Sequence, residues 1–438
     1  MTEAWYSAED ARRWSDYRRY EQLFEGRHEE AFNLPAASAR RLQRYLVCNV
    51  AGVVSKTCAD ILFGESPRFV TCEAAAGEAV ARLARGTDLR VVGYEAALAA
   101  SFRGDAVLKV RWTEAGARIE EVPAGLYLPE LDPDDVRGVR RVTLAWLRQA
   151  EGKTYLRREV HEPGLVRNLL HEVESNGYAL KEPVALARLY GADAPPEEAE
   201  TGLPAIPVIH LPNYRTGSRF WGYSDYLGLE SLFAALNERL SQVSEVLRKH
   251  AAPRLAVPQD YIRPDGTVAL EDLEVIPFDP QFRPRPEYLT WDAHLSAAFT
   301  EIDRLLEMIL LVSESAPAMF GLEKYGIAES GRALKYRLLR TLAKIARKRA
   351  YFAAGLRQAL YLAQCCEVLH GARYTPEYPE VEWNDGLPND PQESASIEQT
   401  LLAAGATSLR GSLERLHPEW TPEQVAREEG LIREGVTG

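Results

Sequence analysis

The chain has 438 residues, enough for two to four domains, with 46% hydrophobic residues and a formal net charge of −12. That sign disfavours a general nucleic-acid coat, because phosphate binding is driven by Lys and Arg. The longest strongly apolar run, Met-Ile-Leu-Leu-Val at 308–312, falls far short of the ~20 residues that span a bilayer.

The N-terminus has no basic stretch followed by an apolar one, which predicts a soluble protein made in the cytoplasm. The five cysteines contain no C-x-x-C pair and sit among helical-looking neighbours. They read as buried small apolar residues rather than as disulfides or a zinc site. Residues 1–25 are polar but rich in aromatics; Tyr17, Tyr20 and Phe24 share one helical face, so the segment is a docking helix or a mobile arm. Residues 26–100 read as mainly helical. Arg40 to Phe63 carries Leu42, Leu46, Val50, Val53 and Val54, and Gly64 and Pro67 stop it. A second helix is predicted from about Gly93 to Phe102.

From 104 to 212 the pattern changes to strands separated by turn clusters such as 131–135 and 151–153. This predicts one antiparallel β meander, closing with Ile206-Pro-Val-Ile-His-Leu-Pro-Asn213. A helix is predicted over 224–250, with Ser224 or Asp225 as N-cap. Leu229, Phe233, Leu236, Leu240, Val243 and Leu247 step along it by 4, 3, 4, 3, 4. Residues 253–291 are short strands and turns crowded with prolines. A second helix, 292–315, has Leu295, Phe299, Ile302, Leu306 and Ile309 in a narrow seam, with acids on its other face. Pro317, Gly321, Gly326 and Gly331 then interrupt the chain. A long helix follows at 332–371, whose first half carries Arg337, Arg340, Lys344 and Arg347 on one face and no acid. Residues 374–409 hold no Lys or Arg, 383–391 reads as a hinge, and three short helices close the chain.

No catalytic set emerges. The phosphate-loop, G-x-S-x-G, H-E-x-x-H and Rossmann glycine patterns are all missing from the sequence. His161-Glu162 and His171-Glu172 lack a second spaced His, and Asp132, Asp134 and Asp135 are better read as a turn. No catalytic, cofactor or metal residue is expected. The basic face at 337–347 has two readings, a solvated or subunit-interface surface and a contact for phosphates. The two apolar seams also have two: a helical hairpin inside one monomer, or equivalent helices packed around the axis of a ring.

Taken in order, several stretches resemble the portal proteins of tailed double-stranded DNA bacteriophages of the long-tailed type. They are Tyr20 through Gly26-Arg27-His28; Asn49 through Phe63-Gly64-Glu65-Ser66-Pro67; Ile206 to Asn213, then Gly222-Tyr-Ser-Asp225 and Asn237; Pro317-Ala-Met-Phe-Gly321 before Glu329-Ser-Gly-Arg-Ala-Leu-Lys335; and Trp383-Asn-Asp-Gly-Leu-Pro388 before Leu402-Ala-Ala-Gly405. The insertion 253–291 matches only in position and size.

The resemblance implies an α+β portal fold assembled as a ring. Residues 1–25 would be an N-terminal arm, 26–223 a β-rich wing, and 224–252 and 292–315 long stem helices. Residues 253–291 would be a small α/β clip, 316–331 a tunnel loop, 332–380 the second part of the wing, and 381–438 a helical crown. It implies a homo-oligomer, usually of twelve subunits, at one capsid vertex of the virion. Double-stranded DNA would pass through the channel without sequence specificity. The terminase, the head–tail adaptor, and the major capsid and scaffolding proteins would be partners, with no membrane. Glu323, Lys324, Tyr325 and Ile327 are the expected DNA-facing loop residues, chosen on the polarity of the loop. Leu229, Phe233, Leu236, Leu240, Leu295, Phe299, Ile302 and Leu306 are the expected stem packing. The rival class is a nucleic-acid-processing enzyme that uses the basic helix as a substrate platform.

Overall fold

The computed structural model describes residues 5–34, 44–174, 177, 179–250, 254–256, 287–289, 295–322, 331–384, 391–417, 420–433 and 435. Helix α1, Ala8–Phe24, opens at a capping box in which Ser7 and Asp10 satisfy each other's backbone N–H groups. It docks on the body through Tyr17, Tyr20 and Leu23, all buried, so of the two readings of this segment the docked helix is the one observed. The short α2, His28–Ala31, turns the chain. Helix α3, Val50–Phe63, starts at Asn49, whose side chain accepts from Gly52 N. A short strand β1, Arg68–Val70, precedes α4, Ala74–Gly86, which the sequence reading did not separate, and α5, Leu89–Arg103.

The predicted single meander is two sheets. Strands β2 (Asp105–Thr113) and β3 (Gly116–Val122) form a hairpin. A helical turn at Ala124–Leu126 then breaks the ladder. The second sheet runs through β4 (Tyr127–Asp132), β5 (Asp135–Ala150), β6 (Lys153–Glu162) and β7 (Leu165–Val173). Strand β8, Leu180–Pro183, and, after the short helix α6 (Ala187–Tyr190), strand β9, Glu198–Glu200, share the outer edge of β7. Glu151 and Gly152, both at positive φ (50° and 73°), make the tight turn between β5 and β6. Strand β10, Val208–Pro212, returns to pair antiparallel with β2, giving a first sheet ordered β10-β2-β3.

Helix α7 runs from Glu230 to His250. It starts later than the expected 224, because Ser224 and Asp225 are used elsewhere. Strands β11 (Arg254–Ala256) and β12 (Glu287–Leu289) pair antiparallel, so α7 leaves and α8, Leu295–Val312, returns side by side. The rest of the predicted insertion lies outside the described residues. Helix α9 is continuous from Gly331 to Leu369, 39 residues. Strand β13, Glu380–Glu382, pairs with β1. Three helices, α10 (Pro391–Ala403), α11 (Leu409–Leu416) and α12 (Pro422–Arg433), close the chain. The predicted hinge falls largely on 385–390, outside the described residues.

The main core packs α3, α4, α5 and α9 against the three-stranded sheet around Phe63, Leu108, Leu211, Phe352 and Leu356. Gly355 lets α9 close on this sheet, since a Cβ there would stand 1.9 Å from Leu211 Cδ2. A second cluster joins α1, α7 and α8 through Tyr20, Leu229, Phe233, Leu236, Ile302 and Ile309. Cys58, Cys365 and Cys366 are buried, Cys48 is partly buried and Cys72 is exposed.

Candidate functional site

Polar residues, several of them from the stretches that resemble portal proteins, converge on three buried hubs. The first centres on Asp225, just before α7. Its Oδ2 accepts from Lys348 Nζ and Ser101 Oγ, both at 2.6 Å. Its Oδ1 accepts from Asn213 Nδ2 at 3.1 Å and lies 3.2 Å from Lys344 Nζ. Lys348 also donates to Asn213 Oδ1, and Lys344 donates to the Ser313 carbonyl at 2.9 Å. Ser55 Oγ lies 2.9 Å from Ser101 Oγ and 2.8 Å from Tyr226 OH, which donates to the Ala51 carbonyl at 2.7 Å. One buried carboxylate thus ties α3, α5, β10, the end of α8 and the middle of α9. Burial alone would raise the Asp225 pKa, but the two ammoniums hold it well below the usual carboxylate range. The same pairing outweighs burial and holds Lys344 above its ordinary value. Both stay charged near neutrality, so the hub is a structural tie and not an acid–base pair.

The second hub centres on Asp105, the first residue of β2. Tyr17 OH donates to Oδ2 at 2.6 Å, while His210 Nε2 at 2.6 Å and Gly222 N at 2.7 Å donate to Oδ1. Burial and then Asp105 raise the Tyr17 hydroxyl well above its ordinary pKa. Gly104, at φ 95°, lets the backbone close on Gly222, where a Cβ would stand 2.0 Å from the Gly104 carbonyl oxygen. Arg13 lies 3.5 Å over the Trp221 ring and donates to the Tyr127 carbonyl at 3.2 Å.

The third joins the start of the chain to α7. His28 Nε2 donates to the Leu23 carbonyl at 3.1 Å, and its Nδ1 accepts from Asn237 Nδ2 at 2.7 Å. Asn237 Oδ1 in turn accepts from Cys48 N at 2.9 Å. Burial lowers the His28 pKa, in keeping with a neutral ring that donates once and accepts once.

The predicted site residues fall as follows. Leu229, Phe233 and Leu236 are fully buried and Ile302 nearly so, while Leu240, Leu295 and Leu306 pack at the edge of the same cluster. Phe299 is a correction: it is half-exposed. The seam runs through Leu295, Ala298, Ile302, Leu305 and Ile309, where the small Ala298 admits the partner helix and turns Phe299 outward. Leu247, near the end of α7, is also about half-exposed.

Lys344 is the second correction. It is buried in the Asp225 hub instead of sharing a solvated face. Arg337, Arg340 and Arg347 remain exposed. Arg347 pairs with Glu314, and Arg340 lies 3.8 Å from the same carboxylate. Glu323, Lys324, Tyr325 and Ile327 lie outside the described residues.

Lys348 and Asp225 were missed as a pair, although a signal existed. The buried positions Leu338, Thr341, Ile345, Lys348 and Phe352 step by 3, 4, 3, 4, which puts a lysine in a core seam and demands a buried acid.

Among the described residues no helix is long and apolar enough to cross a membrane, and no group of three or more His, Cys, Asp or Glu is placed to hold a metal ion.

A family model, "Phage portal protein, SPP1 Gp6-like", matches residues 181–429, more than half of the chain. The chain belongs to this family of phage portal proteins, structural components of the phage particle. No curated protein matches its sequence. Among solved structures, it is similar to a chain in the virion of a native gene transfer agent particle, at 13% identity over 84% of this chain and 89% of the other, with a TM-score of 0.46. A chain from the neck of the empty particle, computed with C6 symmetry, gives the same values.

Proposed function

We propose that the chain assembles into a ring at one vertex of a phage capsid, and that viral DNA is packaged and ejected through its centre. In this reading 224–252 and 292–315 are the stem, 253–291 the clip that meets the terminase and then the head–tail adaptor, 316–331 the tunnel loop, 26–223 and 332–380 the wing, and 381–438 the crown. The ring also nucleates procapsid assembly with the capsid and scaffolding proteins. Glu323, Lys324, Tyr325 and Ile327 face the DNA.

Beside the family membership, one observation carries the ring. The α7–α8 pair buries one seam but leaves Leu247, Phe299, Met308, Leu311 and Val312 between 48% and 70% exposed. These side chains are spread around the sides of the pair that its seam leaves open, where neighbouring copies would cover them. A head-to-tail contact that closes on itself makes a ring in which each copy covers the next. The acidic outer positions Glu301 and Asp303, together with the net charge of −12, suit a channel that lets DNA slide.

Native mass measurement and negative-stain imaging of the purified chain test this. A stable ring with a central hole is the expected result. A monomer or dimer with DNA-dependent turnover overturns it in favour of a nucleic-acid-processing enzyme.

A further inference from the structure

A cleft of about 240 Å³ opens beside the Asp225 hub, between the end of α8 and the middle of α9. Tyr214, Ser313, Glu314, Lys344, Arg347 and Lys348 are in its wall. Its charges do not balance. Lys344 and Lys348, with side chains 6% and 3% exposed, share the single carboxylate of Asp225. Arg347 and Arg340 share the single carboxylate of Glu314. Among the described residues in the wall of the cleft, the three cations Lys344, Arg347 and Lys348 therefore face the two anions Asp225 and Glu314, and the two lysines are almost fully removed from water. An uncompensated buried charge is costly, and the usual relief is loss of a proton. Lys344 does not take that route, because Asp225 outweighs burial and keeps it protonated. A bound anion would balance the one positive charge that the wall of the cleft leaves over.

We propose that this cleft binds one phosphate group, held between the Arg347 guanidinium at the rim and the Lys348 and Lys344 ammoniums inside. Guanidinium and ammonium groups are the donors that recognise phosphate oxygens. The volume is below that of pockets that enclose drug-sized ligands, which fits a single tetrahedral oxyanion and not a nucleotide. The group is free inorganic phosphate or a backbone phosphate of duplex DNA. Glu314 competes for the same cations and tunes the affinity. The proposal holds for a single chain, whether or not rings form.

The test is a titration of the full chain with inorganic phosphate, followed by ³¹P NMR line broadening at an ionic strength held constant with sodium chloride. Saturable broadening is expected. Arg347→Gln should weaken it about tenfold, and Arg410→Gln, whose side chain pairs with Glu414 on α11 and with no residue of the cleft wall, should leave it unchanged. Glu314→Gln removes the competing charge and should tighten binding by about two- to fivefold, a gain that misfolding does not produce. A short duplex added at saturation separates the two sources: displacement of phosphate means that backbone phosphates enter the cleft, and no displacement means that the free anion is the ligand. Absence of saturable binding, or equal affinity in wild type, Arg347→Gln and Glu314→Gln, overturns the proposal.

Discussion

At the scale of single residues, two buried groups carry the sharpest expectations. Among the described residues Asp225 is the carboxylate paired with both Lys344 and Lys348, so Asp225→Asn strands two ammoniums. We expect it to cost about 3–5 kcal/mol in denaturant unfolding. Replacing all three groups with apolar residues of similar size should recover most of that loss, because the penalty lies in the unpaired charge. A triple variant as unstable as Asp225→Asn would locate the stability elsewhere.

His28 sets a pH expectation. Burial holds its folded pKa below that of the unfolded chain, so the unfolded state binds the proton more readily. The neutral, doubly bonded ring therefore contributes fully above about pH 6.5, and its contribution is lost as the pH falls below that. Unfolding midpoints at pH 7.5 and 5.5 should differ more in wild type than in His28→Asn. An equal difference would remove His28 from the account.

Both residues stood in plain sight in the sequence, inside stretches whose order was informative. Their partners were not visible, because Asp225 and Lys348 meet only after the chain has passed through another 123 positions.

At the scale of elements, periodicity gave the helices well and their faces less well. The apolar steps in α7 and α8 located both helices and most of the shared seam. They misplaced Phe299, because a Phe and an Ala one position apart both fit an apolar stripe, and only the facing helix decides which of the two fits. The meander was legible as strands but not as two sheets, since the return of β10 to β2 is a pairing across about 100 residues. On the ring reading, the outward side of α8 is an interface. Phe299→Asp with Leu311→Asp should leave the thermal unfolding of the chain nearly unchanged, since both side chains are at least half-exposed, yet abolish rings in negative stain. A variant that also loses its folded structure would mean that these side chains stabilise the single chain. Arg340→Glu with Arg347→Glu should likewise weaken assembly; rings that form normally but fail to package DNA would favour phosphate contact by this helix.

At the scale of the molecule, the acidic balance governs the encounter with DNA. A chain of net charge −12 should hold duplex DNA weakly and without sequence preference. In fluorescence anisotropy at physiological salt we expect a dissociation constant no tighter than about 10⁻⁶ M, weakening as salt rises. Nanomolar, salt-insensitive binding would contradict a channel through which DNA slides. The mixture of helices and strands was legible from the residue pattern, and the portal family from the order of the resembling stretches. On the ring reading, the assembled state depends on surfaces that no single chain completes.

The unbroken length of α9 has a mechanical meaning. At 1.5 Å per residue its 39 residues make a rod of nearly 60 Å. In its first half, Thr341 and Lys344 grip the backbone carbonyls of Glu314 and Ser313, and its second half is wedged in the main core. Thr341 also receives the Ala316 N–H at 2.8 Å, so the grip is made from both directions. Residues 313–316 are thus fastened at one height of the rod by three hydrogen bonds, so a pull on the segment that follows α8 is carried along α9 into the main core.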